Sequence, residues 1–469
     1  MSRAALLEPR VRALLSGNRV HTRDGRYTRP ARGTYPHQWL WDSCFHAILH
    51  HTLGDASAAR DEVRALFRAQ EREGKDRGRL PHMTFFGGVA DEAAQDADAR
   101  AQFERDAALW GNTRASTISQ PPIVAETILR IGDPAFWAEM WEPLTDYYDW
   151  WLRRRDPDGD HLHAIWHLWE CGADATPRGD AACSKLLASG RTPASMERGT
   201  VNPTARKRSD LLRARFLMLE DLQRIDADEL SGKLDEQGAQ QERQQLLGLE
   251  AIDIQAYLVR NLLDLATIGE ALDHGDASAR YREAAERIAG AVNAELWDEG
   301  AGFYFDRWGW PEQIARVYTP GPLVALYAGE LVPRERAERL LAHLMRPEAF
   351  WTRWPLPTVA RDAAEFDADE YWRGSTWVNV NWFVVRGLVS SARRFDDERW
   401  LEPARVIAER TVDVVDRLGF REYYRSGGVS PEADETAAPA AFGPEGFGWS
   451  GLAFDLARML EDDLADARG

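Results

Sequence analysis

The sequence predicts an all-α fold: a ring of helical hairpins whose loops gather at one mouth. Three observations predict it. Apolar residues recur at helical spacing along most of the chain, strand-type alternation is scarce, and the helical stretches alternate with long segments rich in Gly, Pro, Trp and charge.

The stripes can be taken in turn. Ser57 to Gln70 and Pro134 to Leu152 carry the first two clear ones. In Ala251 to Leu272, Ile254, Leu258, Leu262, Leu265 and Leu272 fall on one face. In Ala277 to Leu296, Tyr281, Ala285, Ile288, Val292 and Leu296 repeat the pattern. Arg334 to Leu344, Arg399 to Leu418 and Gly451 to Leu460 carry similar stripes, and about a dozen helices are expected in all. Between them lie His161 to Asp180, Trp297 to Trp310, Trp351 to Arg373 and Phe420 to Trp449, and loops of that length in a compact domain are usually functional. Two charged breaks, residues 75–108 and 226–244, read as surface insertions or lids. No Pro- or Ser-rich linker divides the chain, so residues 1–469 are expected to form one domain.

Composition narrows the function. The chain has 469 residues, 44% apolar and 29% charged, which is ordinary for a globular protein and argues against disorder. Its net charge of −18 argues against nucleic acid and anionic membranes, both of which select clustered Lys and Arg. No apolar run is long enough to span a bilayer, and Glu8 and Arg10 break any leader-like stretch. The three cysteines, Cys44, Cys171 and Cys183, fit no zinc spacing and read as reduced thiols of a cytoplasmic protein. Nineteen tryptophans are the outlier. They suit a large core or a sugar site, since indoles bury much apolar area.

Four segments concentrate polar and aromatic residues. Tyr35-Pro36-His37-Gln38-Trp39-Leu40-Trp41-Asp42-Ser43 opens an apolar helix. Asp42 or Ser43 suits a helix cap; alternatively Trp39 and Trp41 form a stacking platform and Asp42 binds sugar hydroxyls. Trp166 to Arg178 holds Glu170 and Asp174 among indoles, where loss of water raises a carboxyl pKa, as a general acid requires. His163 and His167 lack an obvious third ligand, so no metal site is expected. Tyr371 to Trp382 opens another helix, with Asn379 and Asn381 needing partners if buried. In Phe420 to Trp449, Glu422 competes with Glu432, Glu435 and Glu445, and spacing does not choose among them.

Two carboxyls from distant loops around an aromatic pocket fit glycoside hydrolysis, in which one protonates the leaving oxygen and the other activates water or attacks the sugar. A Gly-x-x-x-x-Gly-Lys-Ser/Thr phosphate loop and a Gly-x-Ser-x-Gly elbow are both missing from the sequence. A sugar epimerase or phosphorylase on the same ring, and a binding protein without activity, are the alternatives.

Taken together, Tyr-Pro-x-Gln-Trp-Leu-Trp-Asp-Ser, Trp-Glu-x-Gly-x-Asp, Tyr-Trp-Arg-Gly-x-x-Trp-x-Asn and Glu-Tyr-Tyr with a later Trp-Ser resemble glycoside hydrolase family 63, in the branch of bacterial mannosylglycerate and glucosylglycerate hydrolases. The motifs keep that family's order from Tyr35 to Trp449. The resemblance implies an (α/α)6 barrel and an inverting, exo-acting α-glycosidase for a small α-glucoside or α-mannoside, a disaccharide-specific α-glucosidase being the near alternative. It implies no cofactor and a small carbohydrate as partner, and it leaves a homo-oligomer open. It places the general acid on Asp174 and the general base on Glu422. It also lines the subsite with Tyr35, Trp39, Trp41, Asp42, Gln120, Trp169, Tyr371 and Trp372. The chain departs from the pattern at Ala175-Thr176, where Asn-Ser is usual. In Arg191 to Leu222 the usual glycerate-recognising stretch is replaced by the basic run Asn202 to Arg208.

Overall fold

A computed structural model describes residues 2–22, 25–85, 97–197, 209–427 and 440–462. The chain opens with α1 (Arg3–Asn18), then builds hairpins in which an inner helix is followed by an outer one. The first is α2 (Leu40–Thr52) with α3 (Ala56–Arg68); after α4 (Ala97–Trp110) comes α5 (Val124–Ile131) with α6 (Pro134–Arg154). Four helices interrupt the pattern: α7 (Asp180–Leu187), α8 (Ala194–Glu197), α9 (Ser209–Leu230) and α10 (Glu236–Leu246). It resumes with α11 (Ile252–Ala271) and α12 (Gly275–Glu295), then α13 (Gly321–Val324), its 3-10 extension Ala325–Leu331, and α14 (Arg334–Leu344). The last helices are α15 (Val378–Phe395), α16 (Leu401–Leu418) and α17 (Leu452–Glu461).

The ring closes on itself. α2 packs on α5, α5 on α11, α11 on the 3-10 segment, that segment on α15, α15 on α17, and α17 on α2. α1 packs against α17 and completes the sixth pair, so the two ends of the sequence meet. This is the (α/α)6 barrel. Burial explains which helices lie inside. From Leu40 to His50 every residue of α2 is buried, and α11 and α15 are nearly as enclosed, as expected of helices covered on all sides. In α3 the buried set is mainly one stripe, Ala58, Ala59, Val63, Leu66 and Phe67, so it takes an outer place.

Local signals set the ends. Asp133 caps α6 by accepting from the amides of Ala135 and Phe136, with Pro134 at the first helical position. Because each inner helix follows an outer one, the inner helices run the same way. The loops before them share one end of the barrel, the mouth. Trp150, Trp151, Trp377, Trp382 and Trp400 are fully buried, so part of the tryptophan excess is core.

Short antiparallel strand pairs lie between the helices. They include β1 (Arg19–His21) with β2 (Arg26–Thr28), β3 (Gln38–Trp39) with β4 (Met83–Thr84), β5 (Trp297–Asp298) with β6 (Phe303–Tyr304), and β7 (Asp306–Trp308) with β8 (Gln313–Ala315). Strands of two or three residues are too short to show alternation. Of the two charged breaks, 226–244 is the end of α9 turning into α10, while 75–108 carries β4 and most of α4, with 86–96 outside the described residues. Among the described residues no helix is long and apolar enough to cross a membrane.

Candidate active site

Glu422 sits on β9 (Arg421–Tyr424), which pairs with β10 (Ala441–Glu445) so that Tyr423 faces Phe442. The carboxyl is buried, 4% exposed. Tyr35 and Tyr371 both donate their phenol O–H to its Oε1, at 3.1 and 2.8 Å. The indole N–H of Trp449 donates to the Glu422 carbonyl at 3.0 Å. Across the hairpin, Gly443 has φ +75°, and a β-carbon there would lie 2.4 Å from both Cβ and Oε2 of Glu422. Only glycine fits. Glu445, by contrast, is exposed and pairs with Arg421. Glu432 and Glu435 lie outside the described residues.

The second acidic segment resolves into two different roles. Glu170 ends up inside a 3-10 turn, Leu168–Cys171, and is fully buried. Arg155 grips its carboxylate with both terminal nitrogens, Nη1 at 2.8 Å, and the amides of Ser119 and Trp166 donate to it at 3.0 and 2.8 Å. Burial alone would raise its pKa, but Arg155 and the amides outweigh that and hold it below the usual carboxylate range. Asp174 follows a left-handed turn at Gly172, where a β-carbon would collide with the Trp41 ring at 2.5 Å. It is half-buried, and loss of water pushes its carboxyl up to about 6 while the Arg215 guanidinium pulls the other way. Arg215 reaches in from α9 and donates to the Asp174 carbonyl at 2.9 Å.

The charges of both carboxyls act on the same groups. Burial raises the Tyr35 phenol well above its ordinary value, and the charges of Glu422, Asp174 and Asp42 add to it. Burial raises Tyr371 in the same way, helped by Glu422, Tyr35 and Asp174. The Asp42 carboxyl is likewise raised by burial, then by Glu422 and Asp174. Asp42 does not cap its helix: the N-cap is Trp39, and Asp42 Oδ1 has no hydrogen-bond partner. Ser43 is held instead by Glu62 at 2.7 Å. Trp41 packs near Trp372 and against Trp449, and Trp372 stacks on Trp377 at 3.7 Å. Trp372 holds φ +54°, a left-handed backbone that a bulky residue adopts only when its surroundings enforce it.

This arrangement can be set against known proteins. The family model described as the mannosylglycerate hydrolase MGH1-like glycoside hydrolase domain matches residues 35–450. The chain belongs to that family. It is a glycoside hydrolase. It is 31% identical to a mannosylglycerate hydrolase of Thermus thermophilus over 447 residues, covering 91% of this chain and 95% of the relative. A mannosylglycerate hydrolase of Rubrobacter radiotolerans is also 31% identical, over 85% of this chain and 88% of its own length. A glucosylglycerate hydrolase of Mycolicibacterium hassiacum is 28% identical over 89% and 92%. A crystal structure of a glycoside hydrolase family 63 mannosylglycerate hydrolase from Thermus thermophilus, in complex with Tris and D-glycerate, superposes with a TM-score of 0.75 at 27% identity, covering 97% of this chain and 100% of that one.

For this member of the family, the residues expected at the site divide between two clusters that touch where Tyr35 meets Trp39. Tyr35, Trp41, Asp42, Tyr371, Trp372, Asp174 and Glu422 belong to the group just described. Trp39 and Trp169 belong to a second aromatic cluster, in which His82 lies 4.6 Å from Trp39 and parallel to Trp169, with Trp110 and Phe216 beside it. The break at 75–108 supplies His82 and β4, and the α4 residue Asp106 contacts His37 at 3.0 Å. Gln120 is buried and its carbonyl accepts from the Trp41 amide at 3.2 Å, so it fixes the first turn of α2. His163 and His167 are both buried; His167 bonds the Trp169 amide and the Arg215 carbonyl. Asn381 bonds the Leu356 amide and Thr411, a structural tie. The basic run 202–208 lies outside the described residues. Arg215 is the residue that sequence reasoning missed. It sits in the diverged segment, on a helix that shows only an ordinary stripe.

Proposed function

We propose that this chain hydrolyses a glycosylglycerate, releasing glucose or mannose with inversion, with Asp174 as general acid and Glu422 as general base. The observation that carries this reading is the buried Glu422 carboxyl held by the phenols of Tyr35 and Tyr371, with the charge of Asp174 acting on the same two phenols and on Asp42. A carboxyl raised to about 6 keeps a proton to give to the leaving oxygen. Glu422, oriented by two phenols, takes a proton from the water that attacks the anomeric carbon from the other face. Asp42 receives sugar hydroxyls through its unpartnered oxygen, and Trp41 and Trp372 give the apolar face of the ring a surface.

The relatives named for glycerate conjugates motivate the choice of aglycone. Arg215 supports it, since a guanidinium next to the general acid suits a carboxylate on the leaving group. We also assign the chain to the cytoplasm, because all three cysteines are free and buried. The test offers mannosylglycerate, glucosylglycerate and neutral α-glucosides and α-mannosides, with released monosaccharide as the readout and proton NMR of the first product formed. A β-anomer from a glycosylglycerate is expected. Release of the α-anomer ends the inverting assignment, and turnover of neutral glycosides alone ends the glycerate assignment.

A further inference from the structure

At the end of the barrel away from the mouth lies a cavity of about 390 Å³. Five arginines line it: Arg130 of α5, Arg260 of α11, and Arg386, Arg393 and Arg394 of α15. Arg386 forms the buried floor, Arg130 and Arg260 are half-buried walls, and Arg393 and Arg394 are an exposed rim. Three carboxylates answer the floor and walls. Asp455 pairs with Arg130 at 3.2 Å, Asp264 with Arg260 at 2.9 Å, and Glu126 with Arg386 and the Tyr327 phenol. Arg394 spends hydrogen bonds on two neutral carbonyls, Gly329 and Val332, both at 2.7 Å. Setting Arg393 aside, four guanidinium groups therefore meet three carboxylates among the described residues, an excess of positive charge in a chain whose net charge is −18.

Helix dipoles account for part of this. Arg130, Arg393 and Arg394 sit in the last turns of α5 and α15, where a cation offsets the partial negative charge. That explains each arginine singly. It does not explain why they converge with Arg260 and Arg386 on one solvent-open cavity with room for several waters.

We propose that this cavity binds a small oxyanion of the phosphate or sulfate class, held between the arginine rim and walls in the forked geometry that guanidinium groups give to such ligands. The site is separate from the sugar cleft, so its fate does not depend on the glycosidase reading. The test is isothermal titration of the full chain with sodium phosphate, then sodium sulfate, against sodium chloride at matched ionic strength. Saturable binding of either oxyanion is expected, weakened at least tenfold by Arg393→Gln with Arg394→Gln, two exposed positions whose loss spares the core. Arg215→Met, in the cleft, is expected to leave it unchanged. Heats no larger than those of chloride, binding indifferent to the double substitution, or binding lost with Arg215→Met each overturn the proposal.

Discussion

The phenol of Tyr371 donates to Oε1 of Glu422 at 2.8 Å, joining residues from two loops of the mouth. Tyr35 donates to the same oxygen, so two fixed donors aim one carboxylate. A hydrogen bond to a charged group is worth roughly 1.5–3 kcal/mol. Tyr371→Phe is therefore expected to lower kcat about 10- to 100-fold, with the far-UV spectrum and melting temperature close to wild type. Unchanged kcat in a folded variant removes Tyr371 from the positioning of the base.

As the proposed general acid, Asp174 is expected to set the pH dependence. Burial raises its carboxyl to about 6, so the acid form is present below that pH and is lost as pH rises through it. The alkaline limb of kcat/KM is expected near that value. Arg215 pulls the same pKa down, so Arg215→Met should move the limb to higher pH. The sign applies to stability as well. A carboxyl whose folded pKa is raised favours the folded state most at low pH, and that contribution disappears between about 4 and 6. A limb that stays put, or moves down, separates Arg215 from the acid.

Glu170 and Asp174 are four residues apart, and substitution tells them apart. Glu170→Gln breaks a fully buried pair with Arg155 and is expected to cost about 3–5 kcal/mol of stability, read by urea denaturation. Asp174→Asn should leave the denaturation midpoint at neutral pH at or above wild type, because it removes a charge that burial penalises, and remove the proposed general acid, worth about 10²–10⁴ in rate. A stable but inactive Glu170→Gln protein transfers the acid role to Glu170.

Gly443 is an exacting backbone position beside Glu422. Gly443→Ala forces a methyl group to 2.4 Å from the Glu422 carboxylate at φ +75°. The expected result is loss of about 1–3 kcal/mol of stability together with a fall in kcat larger than that of Tyr371→Phe. A crystal structure of the variant with Glu422 unmoved and kcat intact contradicts this.

The helical class was legible because apolar spacing reports a buried face directly. Ser57–Gln70 was read from its stripe, and the helix there is Ala56–Arg68. Arg334–Leu344 matches α14 to the residue. The aromatic-rich motifs were legible too, since Trp, Tyr and Asp crowded at helix starts are costly to place without a purpose. Glu170 shows the limit. It stands four residues before Asp174 among the same indoles, and only the position of Arg155, 15 residues earlier at the C-cap of α6, makes one carboxylate a fixed structural anion and leaves the other raised. Arg215 shows the same limit from the other side, because one Arg on an ordinary helix carries no mark of where that helix docks.

What the sequence by itself determined was the local periodicity, the all-α class and the residue types around the mouth, because these follow from each residue and its near neighbours. What only the tertiary structure decided was company: which carboxyl loses its water, which meets a guanidinium, and which two tyrosines share one oxygen. Those depend on side chains between 15 and 387 positions apart in the chain, which only the packing of separate loops and helices brings together.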